Sequence, residues 1–522
     1  MSNLVFTLTQ SPPSSRLFGP RLGMITCQRD TSSIEIRTPG LITGSSRGVV
    51  PHLSRDHTST TEAIKWIQLP FESFLQRTPP IVLAQKGPHP LHTFLGHDPN
   101  KHLVSLCVRD PADMREMPAN GKDHITAYCI RGVRKITPAQ WKSYMRATNP
   151  DIVTALPDIP FTAPPHSQKR TTKSIERSTA WLADMLASYD GTFKVLVNMI
   201  GGTDPRARGV FAEGLVETLY GKDLELVRPL KTLDEGVWGY VFDLAPLRAS
   251  LEADGESSIG EELVELTQAS LEPLPTHKPR IAHSTASPHE ILRLVQEVGI
   301  DLFDTHWAQR AADLGIALDF RFPVVDLEGA CSSPLKRDNG KMDIGHNLFD
   351  VRYAHDHVRF SSSALDTSSV SALSGHEKDE LLAHVCRCRA CSPSPAPYND
   401  THSPTDGPQW ESLRASAAPL PPVTRAYVHH LLHTHEMSSH TLLAMHNLTA
   451  LDKFFEGIRQ VLSQEDGVVQ LAREITRFVE KYDENMAVFA EAQVLWAKVE
   501  RERGKGRLAR EKSVAGDDAD NV

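Results

Sequence analysis

From about residue 20 to 360, short apolar runs alternate with stretches of helical periodicity, the rhythm of an α/β domain built on parallel strands. The runs 194–199, 238–242 and 300–303 predict strands. Helices are predicted over 174–189, where Ile175, Ala180, Trp181, Met185 and Leu186 recur at near-helical spacing, and over 289–298, which Ser287 and Pro288 begin. A rhythm sustained this long makes a (β/α)8 barrel the leading architecture, with a doubly wound open sheet as the alternative. Three polar stretches rich in Ser, Gly and Pro, at 249–262, 328–345 and 392–422, offer little to bury and predict surface insertions. From Val423 to about residue 504 the pattern is helical. The expected organisation is a loose N-terminus over 1–19, a barrel with insertions over 20–380, a metal-binding subdomain with closing helices over 381–465, and a C-terminal helix with a charged tail over 466–522. No internal repeat interrupts it.

Composition fits a large globular core, with 40% hydrophobic and 23% charged residues in 522. Lys and Arg number 56 against 65 Asp and Glu, a net charge of −9, so a nucleic-acid surface has to be a local basic patch. The tail offers one, with Arg501, Arg503, Lys505, Arg507, Arg510 and Lys512; it reads as a solvated helix end or as a phosphate-contacting arm. No apolar run reaches the length of a membrane span, and the first residues lack the core of a secretion signal. Arg16 and Arg21, among serines and with no acid before Arg29, faintly echo an organelle transit peptide. A soluble intracellular protein is expected.

Seven cysteines are too few and too clustered for a disulfide framework: Cys386, Cys388 and Cys391 fall within six residues. A Cys-x-Cys-x-x-Cys loop can turn three thiolates to one centre, and Zn2+ takes four such ligands in a tetrahedron. The fourth could be His384, His402, His429, His430, His433, His435, His440 or His446. His384 lies close to the cysteines in the chain and His402 sits in an insertion, whereas His446 lies in a helical run, where a rigid backbone would hold it. Four protein ligands leave no position for an activated water, so such a zinc would be structural.

The cysteine loop, followed by Thr424-Arg425-Ala426-Tyr427-Val428-His429-His430-Leu431 and by Met445-His446-Asn447-Leu448, resembles the zinc subdomain of tRNA-guanine transglycosylases. Other segments fit the same family in the same order: Thr38-Pro39-Gly40, Asn149-Pro150-Asp151-Ile152-Val153, Gly201-Gly202, and Gly299-Ile300-Asp301-Leu302-Phe303-Asp304. The resemblance covers residues 20 to 465. It implies a (β/α)8 barrel with an inserted zinc subdomain, His446 as the fourth zinc ligand, Asp158 in the place of a base-recognising aspartate, and Asp304 in that of the nucleophile, with Arg310 beside it. The family's reaction exchanges guanine for queuine at the wobble position of tRNAs with GUN anticodons. An aspartate attacks the ribose C1′, guanine leaves, and queuine displaces the enzyme.

The rest of that machinery is absent. No Asp-Ser-Gly-Gly-Phe-Gln occurs, Ile200 replaces a glutamine, Asp313-Leu314-Gly315 replaces Arg-Asn-Gly, and Trp238-Gly239-Tyr240-Val241-Phe242 stands near the place of a Gly-rich segment. Each polar group of a bound purine left unpaired would cost about 1–3 kcal/mol. Scaffold and zinc without the chemistry, together with Val50-Pro51-His52-Leu53, resemble the non-catalytic member of the family's heterodimeric eukaryotic enzyme. That implies a catalytic subunit and tRNA as partners, with a homodimer as a further state, in the cytoplasm or peripherally at the mitochondrial outer membrane. The alternative is a divergent transglycosylase using Asp304.

Overall fold

The computed structural model describes residues 3–12, 16–29, 31–187, 191–255, 258–325, 333–361, 386, 388–391 and 422–503. They form two compact units, Met1–Trp307 with Asp452–Thr476, and Ala308–Leu451 with Arg477–Val522.

In the first unit eight parallel strands close into a barrel, in the order Gly40–Gly44, Trp66–Pro70, Leu103–Cys107, Ile152–Thr154, Lys194–Asn198, Gly239–Asp243, Arg280–His283 and Leu302–Asp304. Side chains alternate across a strand, so each strand sends every second residue inward. One inward layer is wholly apolar, with one residue from each strand: Ile42, Trp66, Leu103, Ile152, Leu196, Val241, Ile281 and Leu302. Leu4, Ile25, Cys27, Ile34 and Ile36 belong to the same cluster. They come from a three-stranded antiparallel sheet, Asn3–Gln10, Leu22–Gln28 and Ser33–Thr38, which covers the layer at the strands' N-terminal ends. Within the N-terminus expected to be loose, Asn3–Gln10 is the first strand of this cover. Arg21, buried, anchors it by donating from Nε to Asp301 Oδ1 at 2.8 Å.

The strand expected over 300–303 begins at Leu302. Gly299, at φ +76°, makes the turn, and a Cβ there would come within 2.3 Å of the Gly19 carbonyl oxygen. The helix expected from 174 starts at Gln168, because the Ser167 hydroxyl accepts from Arg170 N. The supposed insertion at 249–262 is mostly helical, spanning the end of Leu244–Asp254 and the start of Ile259–Leu271; Leu251, Leu263 and Leu266 are buried and the polar residues form the outer faces. The end of 328–345 is likewise packed: Asp343 is buried and takes Arg337 Nε and Nη2 at 2.7 Å each, so its polarity serves an ion pair. The insertion at 392–422, save Pro422, and the basic tail beyond Arg503 lie outside the described residues.

The second unit begins at Ala308, upstream of the boundary expected at 381. It pairs Ile316–Leu318 antiparallel with Gly345–Asn347 and carries the helices Arg425–His433 and Ala487–Arg503 and the first part of Ser438–Leu462. Among the described residues no helix is long and apolar enough to cross a membrane.

Candidate metal centre and barrel mouth

In the second unit the cysteine loop meets the helix Ser438–Leu462. His446 Nδ1 lies 3.5, 3.5 and 3.4 Å from the sulfurs of Cys386, Cys388 and Cys391, and the four atoms are within 4.8 Å of one another. Among the described residues this is the one group of its kind. The loop is self-templating: Cys391 N donates to Cys388 O at 3.2 Å and approaches Cys388 Sγ at 3.3 Å, and Val423 N donates to Ala390 O at 2.8 Å. The Phe360 ring sits edge-on to His446 at 5.2 Å, and Arg425, fully buried, donates to the Phe360 carbonyl at 3.1 and 3.3 Å. Of the other candidate histidines, His429 Nδ1 is engaged with Leu348 O, His433 Nδ1 with His429 O and His440 Nδ1 with Ala312 O. His384 and His402 lie outside the described residues, as does Cys331.

The electrostatics of the cluster ask for a cation. Hydrogen bonds from Cys388 and Cys391 hold the Cys386 thiol well below its ordinary range, while burial pushes Cys388 well above it. Burial opposes a charge on His446, but the sulfurs of Cys391 and Cys386 outweigh it and raise the ring well above its usual value. Three sulfurs around one buried nitrogen favour a positive charge at their centre, which a metal ion supplies.

The second site is the mouth of the barrel. Two residues beyond the apolar layer, the inward positions are Gly44, Gln68, Ser105, Thr154, Asn198, Asp243, His283 and Asp304, none of them hydrocarbon. Barrel sites sit at this C-terminal end of the strands. Asn198 Nδ2 donates to Asp243 Oδ2 at 2.8 Å, and Asp243 Oδ1 lies 2.9 Å from His283 Nδ1. Burial disfavours the charged imidazole of His283, yet the bond to Asp243 and the fields of Asp243, Asp304 and Asp110 raise its pKa. Asp304 Oδ2 accepts from Ser284 N at 2.6 Å, and Ser284 holds its amide there at φ +61°. Burial raises the Asp304 carboxyl, against the fields of His283 and His306.

Asp110 escapes notice in the sequence. It follows the strand Leu103–Cys107, shares its cleft with Asn198, Asp243 and His283, and is raised by burial with Asp304 adding to the shift. Its signal is an aspartate just past an apolar strand, as in Val108-Arg109-Asp110-Pro111. Glu72 fixes the loop by accepting from Asp110 N at 3.0 Å and Tyr128 N at 3.3 Å, and burial pushes Glu72 up to about 7. The cavity lined by Asp110, Thr154, Asn198, Asp243 and His283 measures about 20 Å³, room for a single water.

Asp158 does not face this cavity. Fully buried, it takes Arg170 in bidentate fashion at 2.9 and 2.7 Å, Arg177 at 3.2 Å and Asn120 Nδ2 at 2.7 Å. Both its oxygens are committed to tying the helix Gln168–Leu186 to the barrel. Gly201 and Gly202 also have a packing reason: both have positive φ, and a Cβ on Gly201 would meet Arg208 N at 2.6 Å. Arg310, in the second unit, reaches Gln493 Oε1 at 3.4 Å.

The model of the family described as queuine tRNA-ribosyltransferase matches residues 18–397 and 416–482. The chain is similar to proteins named queuine tRNA-ribosyltransferase accessory subunit 2 from Aedes aegypti (25% identical over 469 residues, 88% of this chain and 89% of the relative), Gallus gallus (22% over 472 residues, 90% and 97%) and Schizosaccharomyces pombe (23% over 449 residues, 85% and 78%). With most of its length covered by that model, on a closed eight-stranded barrel and a Cys3His cluster, the chain belongs to the queuine tRNA-ribosyltransferase family.

Proposed function

We propose that this chain is the non-catalytic subunit of a heterodimeric tRNA-guanine transglycosylase, holding one structural zinc and helping to seat the tRNA whose wobble guanine its partner exchanges for queuine. The observation that carries the reading is a contrast: Cys386, Cys388, Cys391 and His446 are assembled, whereas the cavity lined by Asp110, Asn198, Asp243 and His283 has space for one water. The relatives' name, accessory subunit 2, supports the partnership.

Zinc suits the cluster. Bonds of about 2.3 Å to sulfur and about 2.0 Å to nitrogen at a tetrahedral angle put S and N about 3.5 Å apart, and the distances here are 3.4 to 3.5 Å. Cys386, Cys388, Cys391 and His446 would hold the ion and complete its shell, and the ion would stabilise the fold of the second unit without activating water.

At the mouth, Asp304 is retained, but Asn198 Nδ2 and His283 Nδ1 are both taken by Asp243, Ile200 is buried, and Asp158 is buried with both oxygens committed to Arg170, Arg177 and Asn120. A base seeking the His283 Nδ1 or Asn198 Nδ2 donor would have to displace Asp243 from it. The test is co-elution of the purified chain with a catalytic subunit, with metal analysis. A one-to-one complex carrying zinc on this chain is expected. A chain that neither joins the catalytic subunit nor binds tRNA would contradict the reading.

A further inference from the structure

We propose that Asn447 is a positioning residue of the metal centre: it holds the strand Ile316–Leu318 so that the Leu318 carbonyl fixes the tautomer and aim of His446. This rests on the metal reading above. The strand has one paired edge: Leu348 N donates to Gly315 O at 2.9 Å and Asp319 N to Ile344 O at 2.8 Å. Gly315, Ala317 and Asp319 therefore face the ladder, and Ile316 and Leu318 turn their peptide groups to the other edge. Buried there, those groups would be costly orphans.

Two consecutive side chains of the helix Ser438–Leu462 meet three of them, Ile316 O, Leu318 N and Leu318 O. Asn447 Oδ1 accepts from Leu318 N at 3.0 Å, and its Nδ2 donates to Ile316 O at 2.9 Å and to Ala308 O at 3.3 Å. The amide can sit only one way round, since a flip would set oxygen against two carbonyls. His446 Nε2 meets Leu318 O at 2.7 Å. A carbonyl only accepts, so Nε2 carries a proton and Nδ1 is the ring nitrogen left to coordinate a metal held among the three sulfurs. One residue, Leu318, is thus clamped at its N–H by Asn447 and at its C=O by His446. Both residues are buried, at 0% and 1% exposure, so no water can stand in for either bond. Partners that orient a metal-bound histidine set affinity by about 10- to 100-fold, and here the orienting carbonyl is itself held by Asn447.

The experiment is zinc affinity by chelator competition on the full chain, together with the visible spectrum of the cobalt-substituted protein and the ring ¹⁵N shifts of His446. Asn447→Ala should weaken zinc about 10- to 100-fold and alter the tetrahedral cobalt bands, whereas Leu448→Ala, which removes buried packing from the same helix, should leave both unchanged. Equal affinity in Asn447→Ala and wild type, or an equal loss in Leu448→Ala, would overturn the proposal. If Asn447→Ala does not fold, the wild-type ¹⁵N shifts decide: Nδ1 bound and Nε2 protonated is the expected state, and metal on Nε2 overturns it. A wild-type chain that takes up no zinc fails at the metal reading itself, a result separable from the others.

Discussion

Replacing Asp158 by asparagine separates two roles for a residue that sequence likeness puts at a base-recognition position. The carboxylate is fully buried and neutralises two guanidiniums, Arg170 and Arg177. Breaking a buried pair by removing one partner costs about 3–5 kcal/mol. The lower end applies here, because Arg170 keeps Ser174 Oγ at 2.6 Å, Arg177 keeps Asn120 O at 2.9 Å, and both side chains are 21% exposed. A loss of about 3 kcal/mol in a unit of this size lowers its melting temperature by roughly 5 °C. Differential scanning calorimetry of the purified variant should resolve that shift. A base-recognising aspartate would behave otherwise, with stability unchanged and purine binding reduced. A melting temperature within about 1 °C of wild type would refute the structural role.

Three further outcomes are expected. Cys391→Ala should abolish stoichiometric zinc and cost the second unit several kcal/mol, read as zinc content and as the urea midpoint; full zinc retention would contradict the ligand set. Burial, with the nearby His97, lowers His102 to about 4, so its folded ring stays neutral while the unfolded chain protonates near the ordinary 6.5. The unfolded state then takes up more protons as pH falls, and the His102 contribution drops by about 2 kcal/mol between pH 7 and 5. Glu72, raised to about 7, pushes the other way, so the effect is read as the difference in urea midpoint shift between wild type and His102→Gln, and identical shifts would contradict it. Gly201→Ala, driving a Cβ to 2.6 Å from Arg208 N, should cost about 1–3 kcal/mol without affecting zinc content; an unchanged melting temperature would count against the close approach.

The barrel was legible because parallel strands buried on both faces write themselves as apolar runs, as at Lys194–Asn198 and Gly239–Asp243. The cysteine spacing pointed to a loop able to hold a metal, and the helical setting of His446 singled it out as a fourth member of the cluster that the structure assembles. What escaped was whatever depends on pairing at a distance. The three strands covering the barrel floor alternate between a core face and an exposed face, and only the closed barrel tells their apolar residues what to cover. The polar segment around Asp343 looked solvated because its partner, Arg337, could not be assigned by composition. Asp158 and the glycine pair were legible as positions in a family pattern but not as structure, since their reasons are Arg170, Arg177 and the backbone of Arg208. Asp110 and His283 join Asp304 only once the barrel closes.

The most direct test is base exchange into tRNA by the purified chain alone and mixed with a catalytic transglycosylase subunit, with wild type and Asp304→Ala side by side. The expected result is no incorporation of labelled guanine or queuine by the chain alone, incorporation by the mixture above that of the catalytic subunit by itself, and the same rate when Asp304 is replaced. Incorporation by the chain alone that disappears in Asp304→Ala would make this subunit an enzyme in its own right.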